Sequence, residues 1–318
     1  MMITRRSFIR KIAVSLVVFS AVFTGGRIFA QEKHSPLRLF LIGNSFSQNA
    51  TRYLPQLSKE GGHELVIGRA ELGGCPLQRH WTSVVANEAD PKDPAGRPYN
   101  GKSLRELLSD GKWDVVTIQQ YSFLSSDIAS YSPYAQNLYN FIRKLQPGAE
   151  VVFHQTWAYR SDAKVFGRVS RTATDSVTAK SQREMFTLSR AAYHAMAKQL
   201  GIRIIPSGDA FQRVNDDRKW GYRPDKQFVA EKAAYPSLPA QSHSMNVGYS
   251  WDKNQKLAFD PNHASDAGCY LAGMVWYAFL YNEDPGKLAF KPEHLSDEFA
   301  GFLKETAKRV AGKQGAAK

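Results

Sequence analysis

From residue 37 onward the chain alternates short apolar runs with segments of helical periodicity, and that alternation admits few folds. The runs at 37–42, 64–70, 113–120, 150–154 and 202–205 are rich in Leu, Ile, Val and Phe, and turn-forming or polar residues follow them. Between them, 50–59, 76–86, 134–145 and 179–200 carry apolar residues three and four apart, as a half-buried helix requires. Strands joined through helices lie parallel, because a tight turn can connect only antiparallel neighbours. The expected class is α/β, a three-layer α/β/α sandwich around a parallel five-stranded sheet, with a final helix over 270–279. A polar loop rich in Pro, Gly and Asp is expected at 91–101. Two stretches break the repeat: 161–180, rich in Ser, Thr and Arg, and 215–258, with Trp220, Tyr222, Tyr235 and Trp251. They read as insertions near the mouth of a site.

The first thirty residues read as an export signal rather than as part of the domain, which is expected over 31–318. Thr4-Arg5-Arg6-Ser7-Phe8-Ile9-Arg10-Lys11 matches a twin-arginine box, and the uncharged run 12–23 is shorter than the roughly 20 residues a membrane span needs. Cleavage after Ala30 leaves a periplasmic or secreted domain without a transmembrane span. Ile28 is bulky for the third position before such a site, so a retained N-terminal anchor stays open. The formal charge of +13 falls to +8 once Arg5, Arg6, Arg10, Lys11 and Arg27 are set aside. No basic cluster, zinc-finger spacing or aromatic RNA-binding motif accompanies that charge, so it is read as solvated surface and not as a nucleic-acid footprint.

Two cysteines, Cys75 and Cys269, cannot supply a disulfide framework, and packing must hold the fold. They are read as buried thiols, with a single bridge as the alternative. The chain carries no Gly-x-Ser-x-Gly elbow, no His-Glu-x-x-His metal site, no Walker motif and no Gly-x-Gly-x-x-Gly. What remains is chemistry without a cofactor or metal.

Two blocks carry that chemistry. Gly43-Asn44-Ser45-Phe46-Ser47 closes the first strand, and Asp260-Pro261-Asn262-His263 opens the last helix, with Ser265 and Gly268 behind it. A serine hydroxyl becomes a nucleophile when an imidazole takes its proton and a carboxylate fixes that imidazole's tautomer. Ser45, His263 and Asp260 are one residue of each kind. Gly73, Gly74, Gln119, Gln120, Gln155 and Trp157 also follow expected strands, where parallel sheets gather their reactive groups.

This pattern resembles the SGNH (GDSL-type) hydrolase superfamily over roughly residues 37 to 282, and most of all an uncharacterised bacterial subfamily with Gly-Asn-Ser-Phe, Gln-Gln-Tyr-Ser and Gln-Thr-Trp-Ala-Tyr blocks. Asn44 stands where the usual Asp is found, and Phe46 where Leu is usual. The resemblance implies a flavodoxin-like sheet, Ser45 as nucleophile, and Asp260 and His263 as its partners. It also implies an oxyanion hole from the Ser45 N–H, a Gly73 or Gly74 N–H and a side-chain amide. The usual Gly-x-Asn-Asp of the third block is absent, so Gln120, or else Gln119, is expected to supply that amide. His80, Tyr121, Gln155, Trp157 and Tyr159 are candidates to line a substrate pocket, His154 to be structural. The function implied is an exported ester hydrolase acting on an acylated saccharide. A lipid or phospholipid esterase and a non-catalytic glycan-binding protein are the alternatives.

Overall fold

The computed structural model describes residues 35–172 and 174–312. The export-signal reading, on residues 1–30, lies outside the described residues. In chain order the elements are β1 (Leu37–Gly43), α1 (Ser45–Ala50), α2 (Leu54–Glu60), β2 (Leu65–Glu71), α3 (Leu77–Ala89), α4 (Leu104–Ser109), β3 (Val115–Ile118), α5 (Tyr134–Leu145) and β4 (Glu150–His154). There follow β5 (Arg168–Arg171), β6 (Ser176–Thr178), α6 (Gln182–Leu200), β7 (Arg203–Ile205), α7 (Ser207–Asp216), β8 (Asn246–Trp251), β9 (Leu257–Ala264), α8 (Asp266–Tyr281) and α9 (Asp297–Gly312).

The central sheet has the order β2-β1-β3-β4-β7, and every pair in it is parallel. Both faces are covered, which is why β1 reads as a continuous apolar run instead of alternating. Leu39 and Leu41 pack toward a core shared with α1, α2, α7, α8 and α9, while Phe40 and Ile42 pack toward α3, α4, α5 and α6. The molecule is therefore a three-layer α/β/α sandwich. Because β2 and β3 lie on opposite sides of β1, the chain reverses direction there, and a crevice opens above the C-terminal ends of these strands.

All five expected strands are present. The helix expected at 50–59 is α2, over 54–60, and a separate short helix not expected from the sequence, α1, capped by Asn44, precedes it over 45–50. Helices α4, α7 and α9 were not expected. Segment 161–180 contains the antiparallel pair β5–β6, and 215–258 contains most of a second pair, β8–β9, that lies outside the main sheet. Cys75 and Cys269 are buried thiols, pushed by burial to about 12 and about 11 respectively. No helix among the described residues is long and apolar enough to cross a membrane.

Candidate active site

Asn44, just past β1, has extended backbone geometry and caps α1: its side-chain oxygen accepts from the Phe46 N–H at 3.0 Å. Ser45 is consequently the first residue of that helix, half-buried at the C-terminal edge of the sheet. Its Oγ lies 2.8 Å from His263 Nε2, although 218 residues separate the two in sequence. His263 Nδ1 lies 2.8 Å from Asp260 Oδ2. The other carboxylate oxygen of Asp260 accepts from the backbone N–H groups of Asn262 (3.2 Å) and His263 (3.0 Å), so the side chain orders the turn that carries its own partner. A carboxylate can only accept, which puts the imidazole proton on Nδ1 and leaves Nε2 to receive the Ser45 hydroxyl proton.

The electrostatics agree with that arrangement. Burial alone raises the Asp260 carboxyl, but hydrogen bonds from the His263 ring and backbone and from the Asn262 N–H outweigh it and hold the group below the usual carboxylate range. The hydrogen bond to Asp260 holds the His263 imidazole above its ordinary value, against the opposing effect of burial.

Strand β9 delivers this pair, and its seat is specific. The Asn262 carbonyl accepts from Trp157 Nε1 (2.9 Å), and the Ala264 N–H donates to Asn49 Oδ1 on α1 (3.0 Å). Trp157 is stacked between Phe46 (ring centroids 4.5 Å apart) and Phe211 (4.3 Å), so α1 and β9 share one wedge.

The turn after β2 runs beside the turn that carries Ser45. Leu72 N–H donates to the Gly43 carbonyl (3.1 Å), and Asn44 Nδ2 donates to the Cys75 carbonyl (3.1 Å). Gly74 sits at φ +59°, a left-handed conformation that favours glycine, and this lets Gly73 and Gly74 turn tightly there. The backbone N–H groups of Ser45, Gly73 and Gly74 have no protein acceptor among the described residues.

Gln120 does not complete that set. Its Oε1 accepts from the Leu77 and Tyr121 N–H groups (3.1 and 2.8 Å), and its Nε2 donates to the carbonyl and hydroxyl of Ser130 (both 3.0 Å). Every bond an amide can make is already made, within the protein. Gln119 is also engaged, donating to Asn44 Oδ1 (2.7 Å) and accepting from His154 Nδ1 (2.8 Å), so it braces the turn between β1 and α1. Replacing Gln120 by alanine is therefore expected to lower unfolding free energy by about 1–3 kcal/mol, by stranding the buried Leu77 N–H and the partly buried Tyr121 N–H. The folded fraction should keep its turnover. Denaturant unfolding followed by active-site titration separates the two effects.

The expected pocket residues also divide. His80 is fully buried and held neutral, its value pushed by burial down to about 4; it bonds the Gly43 carbonyl (3.1 Å) and the Tyr99 hydroxyl (2.7 Å). Gln155 is buried and donates to Asp209 (2.9 Å). Trp157 is the wedge already described, and Tyr159 is buried with its hydroxyl 3.2 Å from Ser122 Oγ. None of the four lines an open pocket. Gln155, Trp157 and Tyr159 follow the end of β4 and His80 lies on α3, but buried bonds or stacking turn each side chain into the protein. Tyr121 differs: half-buried, its ring flanks Gly74. His154 is buried and neutral, as a structural residue would be. The brace formed by Asn44 was missed, though an Asn directly before a helix is itself a capping signal.

The family model for a domain of unknown function, DUF4886, matches residues 38–218. The chain is similar to a crystallised DUF4886 family protein from Bacteroides uniformis at 25% identity and a TM-score of 0.62, over 86% of this chain and 94% of that one. It is less similar to a protein from Slackia heliotrinireducens proposed to be an SGNH hydrolase (20% identity, TM-score 0.42, 76% of this chain and 97% of that one). It also matches the periplasmic domain of a lipopolysaccharide acetyltransferase from Salmonella ser. Paratyphi A (13%, 0.40, 74% and 80%). No curated protein matches. The match over more than half of its length shows that the chain belongs to the DUF4886 family.

Proposed function

We propose that this protein is an exported serine ester hydrolase of the SGNH type that removes short acyl groups, acetyl foremost, from a saccharide. The observation that carries this reading is the chain of two 2.8 Å contacts from Ser45 Oγ through His263 to Asp260. In the reaction, Ser45 Oγ attacks the ester carbonyl while its proton passes to His263 Nε2. The tetrahedral oxyanion faces the N–H groups of Ser45 and the Gly73–Gly74 turn. Collapse breaks the bond to the sugar oxygen, which takes the proton from His263, and leaves an acyl ester on Ser45. Water, deprotonated by His263, then releases the carboxylic acid and restores the hydroxyl. Asp260 stays ionised throughout and stabilises the transient imidazolium.

The side chains of Asp260 and His263 are each 36% exposed, and this openness suits an ester on a bulky saccharide. A lipid ester is the second reading. It is favoured by the exposed Val165, Val177, Val229, Tyr235, Leu238 and Val247, all on the two segments that interrupt the α/β repeat. Nitrophenyl acetate and decanoate, assayed beside an acetylated polysaccharide, decide between them. Preference for acetate with release from the polysaccharide supports the first reading, and preference for decanoate the second. Failure to hydrolyse any of them leaves a binding protein.

Export is part of the same proposal and rests on the Arg5-Arg6 pair. Arg5→Lys combined with Arg6→Lys is expected to leave precursor in the cytoplasm, because the twin-arginine route reads that pair and not its charge. Undiminished periplasmic protein after fractionation would assign the chain to the general secretory route.

A further inference from the structure

Arg160 is only 2% exposed, which is rare for a guanidinium, and its surroundings account for its burial. Nε and Nη2 form a two-pronged pair with Asp162 (2.7 and 2.8 Å), and Nη1 donates to Gln241 Oε1 (2.9 Å). Three rings surround the charge, with centroids at 4.5 Å for Tyr222, 5.1 Å for Phe259 and 5.4 Å for Tyr249. Tyr222 also donates to Asp162 (3.0 Å).

What distinguishes this cluster is where it touches β8 and β9. The Arg160 backbone N–H donates to the carbonyl of Pro261 at 2.8 Å, between Asp260 and His263. Phe259, beneath the guanidinium, is the residue before Asp260. Gly248, paired across the hairpin with Asp260, lies so close that a Cβ there would stand 1.8 Å from Nη1. Gln241, which receives Nη1, also grips Tyr249 through both its backbone N–H (3.0 Å) and its carbonyl (2.6 Å). The guanidinium thus packs against the rung of the hairpin that carries Asp260, from one side chain and one backbone N–H of the same residue. Its charge is absorbed by Asp162. The groups facing His263 are Asp260 on its own strand and Ser45 and the Phe46 ring on α1, so Arg160 acts on the imidazole through geometry.

We propose that Arg160 is a positioning residue for the reaction, holding the β8–β9 pair so that Asp260 and His263 keep their alignment on Ser45. This rests on the hydrolase reading of the same site. Lysine keeps the charge but has neither the fork nor the flat face, so Arg160→Lys isolates geometry from charge. Gln241→Ala, at a partly exposed position, loosens the same hairpin and serves where the lysine variant folds poorly.

The experiment measures kcat and KM per folded molecule and, separately, the His263 imidazole titration by NMR, assigned by its loss in His263→Ala. Expected is a fall in kcat of about 10²-fold with KM little changed, together with a His263 midpoint displaced downward toward that of a free imidazole. A lower melting temperature with unchanged kcat and an unchanged His263 midpoint would reduce Arg160 to a structural role and overturn the proposal. If wild-type protein hydrolyses no ester but the midpoint still falls in Arg160→Lys, the positioning role stands and the hydrolase reading fails.

Discussion

Ser45→Ala is expected to lower ester hydrolysis by about 10⁴- to 10⁶-fold, the range seen when a serine nucleophile is removed and only binding and oxyanion donors remain. The fold should hardly notice. Ser45 opens α1 with its hydroxyl directed at His263, while the cap of that helix is the Asn44 side chain and the adjoining core contact is Phe46. Thermal unfolding of the variant should therefore match wild type closely. A folded Ser45→Ala protein that keeps even a tenth of the wild-type rate would place the nucleophile elsewhere.

Asp260→Asn tests the other half of the relay, and its effect should be visible in shape as well as height. His263 must be neutral to accept the Ser45 proton, so wild-type kcat/KM should rise as pH climbs through the His263 value, which Asp260 holds above the ordinary 6.5. An amide cannot hold the imidazolium in this way. In Asp260→Asn the rate should drop by about 10²- to 10⁴-fold, and the acid limb of the residual activity should move to lower pH. Identical acid limbs in the two proteins would separate Asp260 from the base. The same coupling has a stability counterpart. The lowered Asp260 value contributes stability above 3.8 that is lost as pH falls through its folded value, and the raised His263 value contributes stability below 6.5 that is lost as pH rises through its folded value. The pair thus supports the fold most fully between those two limits.

The regular elements were legible where side-chain pattern alone decides structure. β4 and α5 fall on 150–154 and 134–145 as read, because one is a buried apolar run and the other places Ala135, Leu138, Phe141 and Ile142 on one face. The β8–β9 pair was not legible: Gly248 and the Pro261-Asn262 step inside β9 look like turn residues, and only the packing around Arg160 and Trp157 makes a strand of them. At the site, Ser45, His263 and Asp260, which the fold brings within hydrogen-bond distance, could be picked out as a set because the proposed chemistry requires those residue types. The amides could not. Gln119 and Gln120 follow β3 directly, yet their side chains meet different partners, one Asn44 and His154 and the other Leu77 and Ser130. Which partner a glutamine meets is decided by the fold around it, and nothing in two adjacent glutamines distinguishes them beforehand.

Ser45 and its base stand on units of different cohesion. The serine directly follows β1, an inner strand of a five-stranded parallel sheet covered on both faces, whereas the Asp260–His263 pair rides on a separate two-stranded ribbon fastened to the domain by a few hydrogen bonds and packed side chains. Ribbons of that size have little independent stability and open without requiring the sheet to open. Warming should therefore first detach acid and base from nucleophile, leaving a molecule that is still folded but catalytically silent. On the proposed mechanism, its working lifetime should follow how firmly one hairpin is fastened more than how firmly the domain is packed.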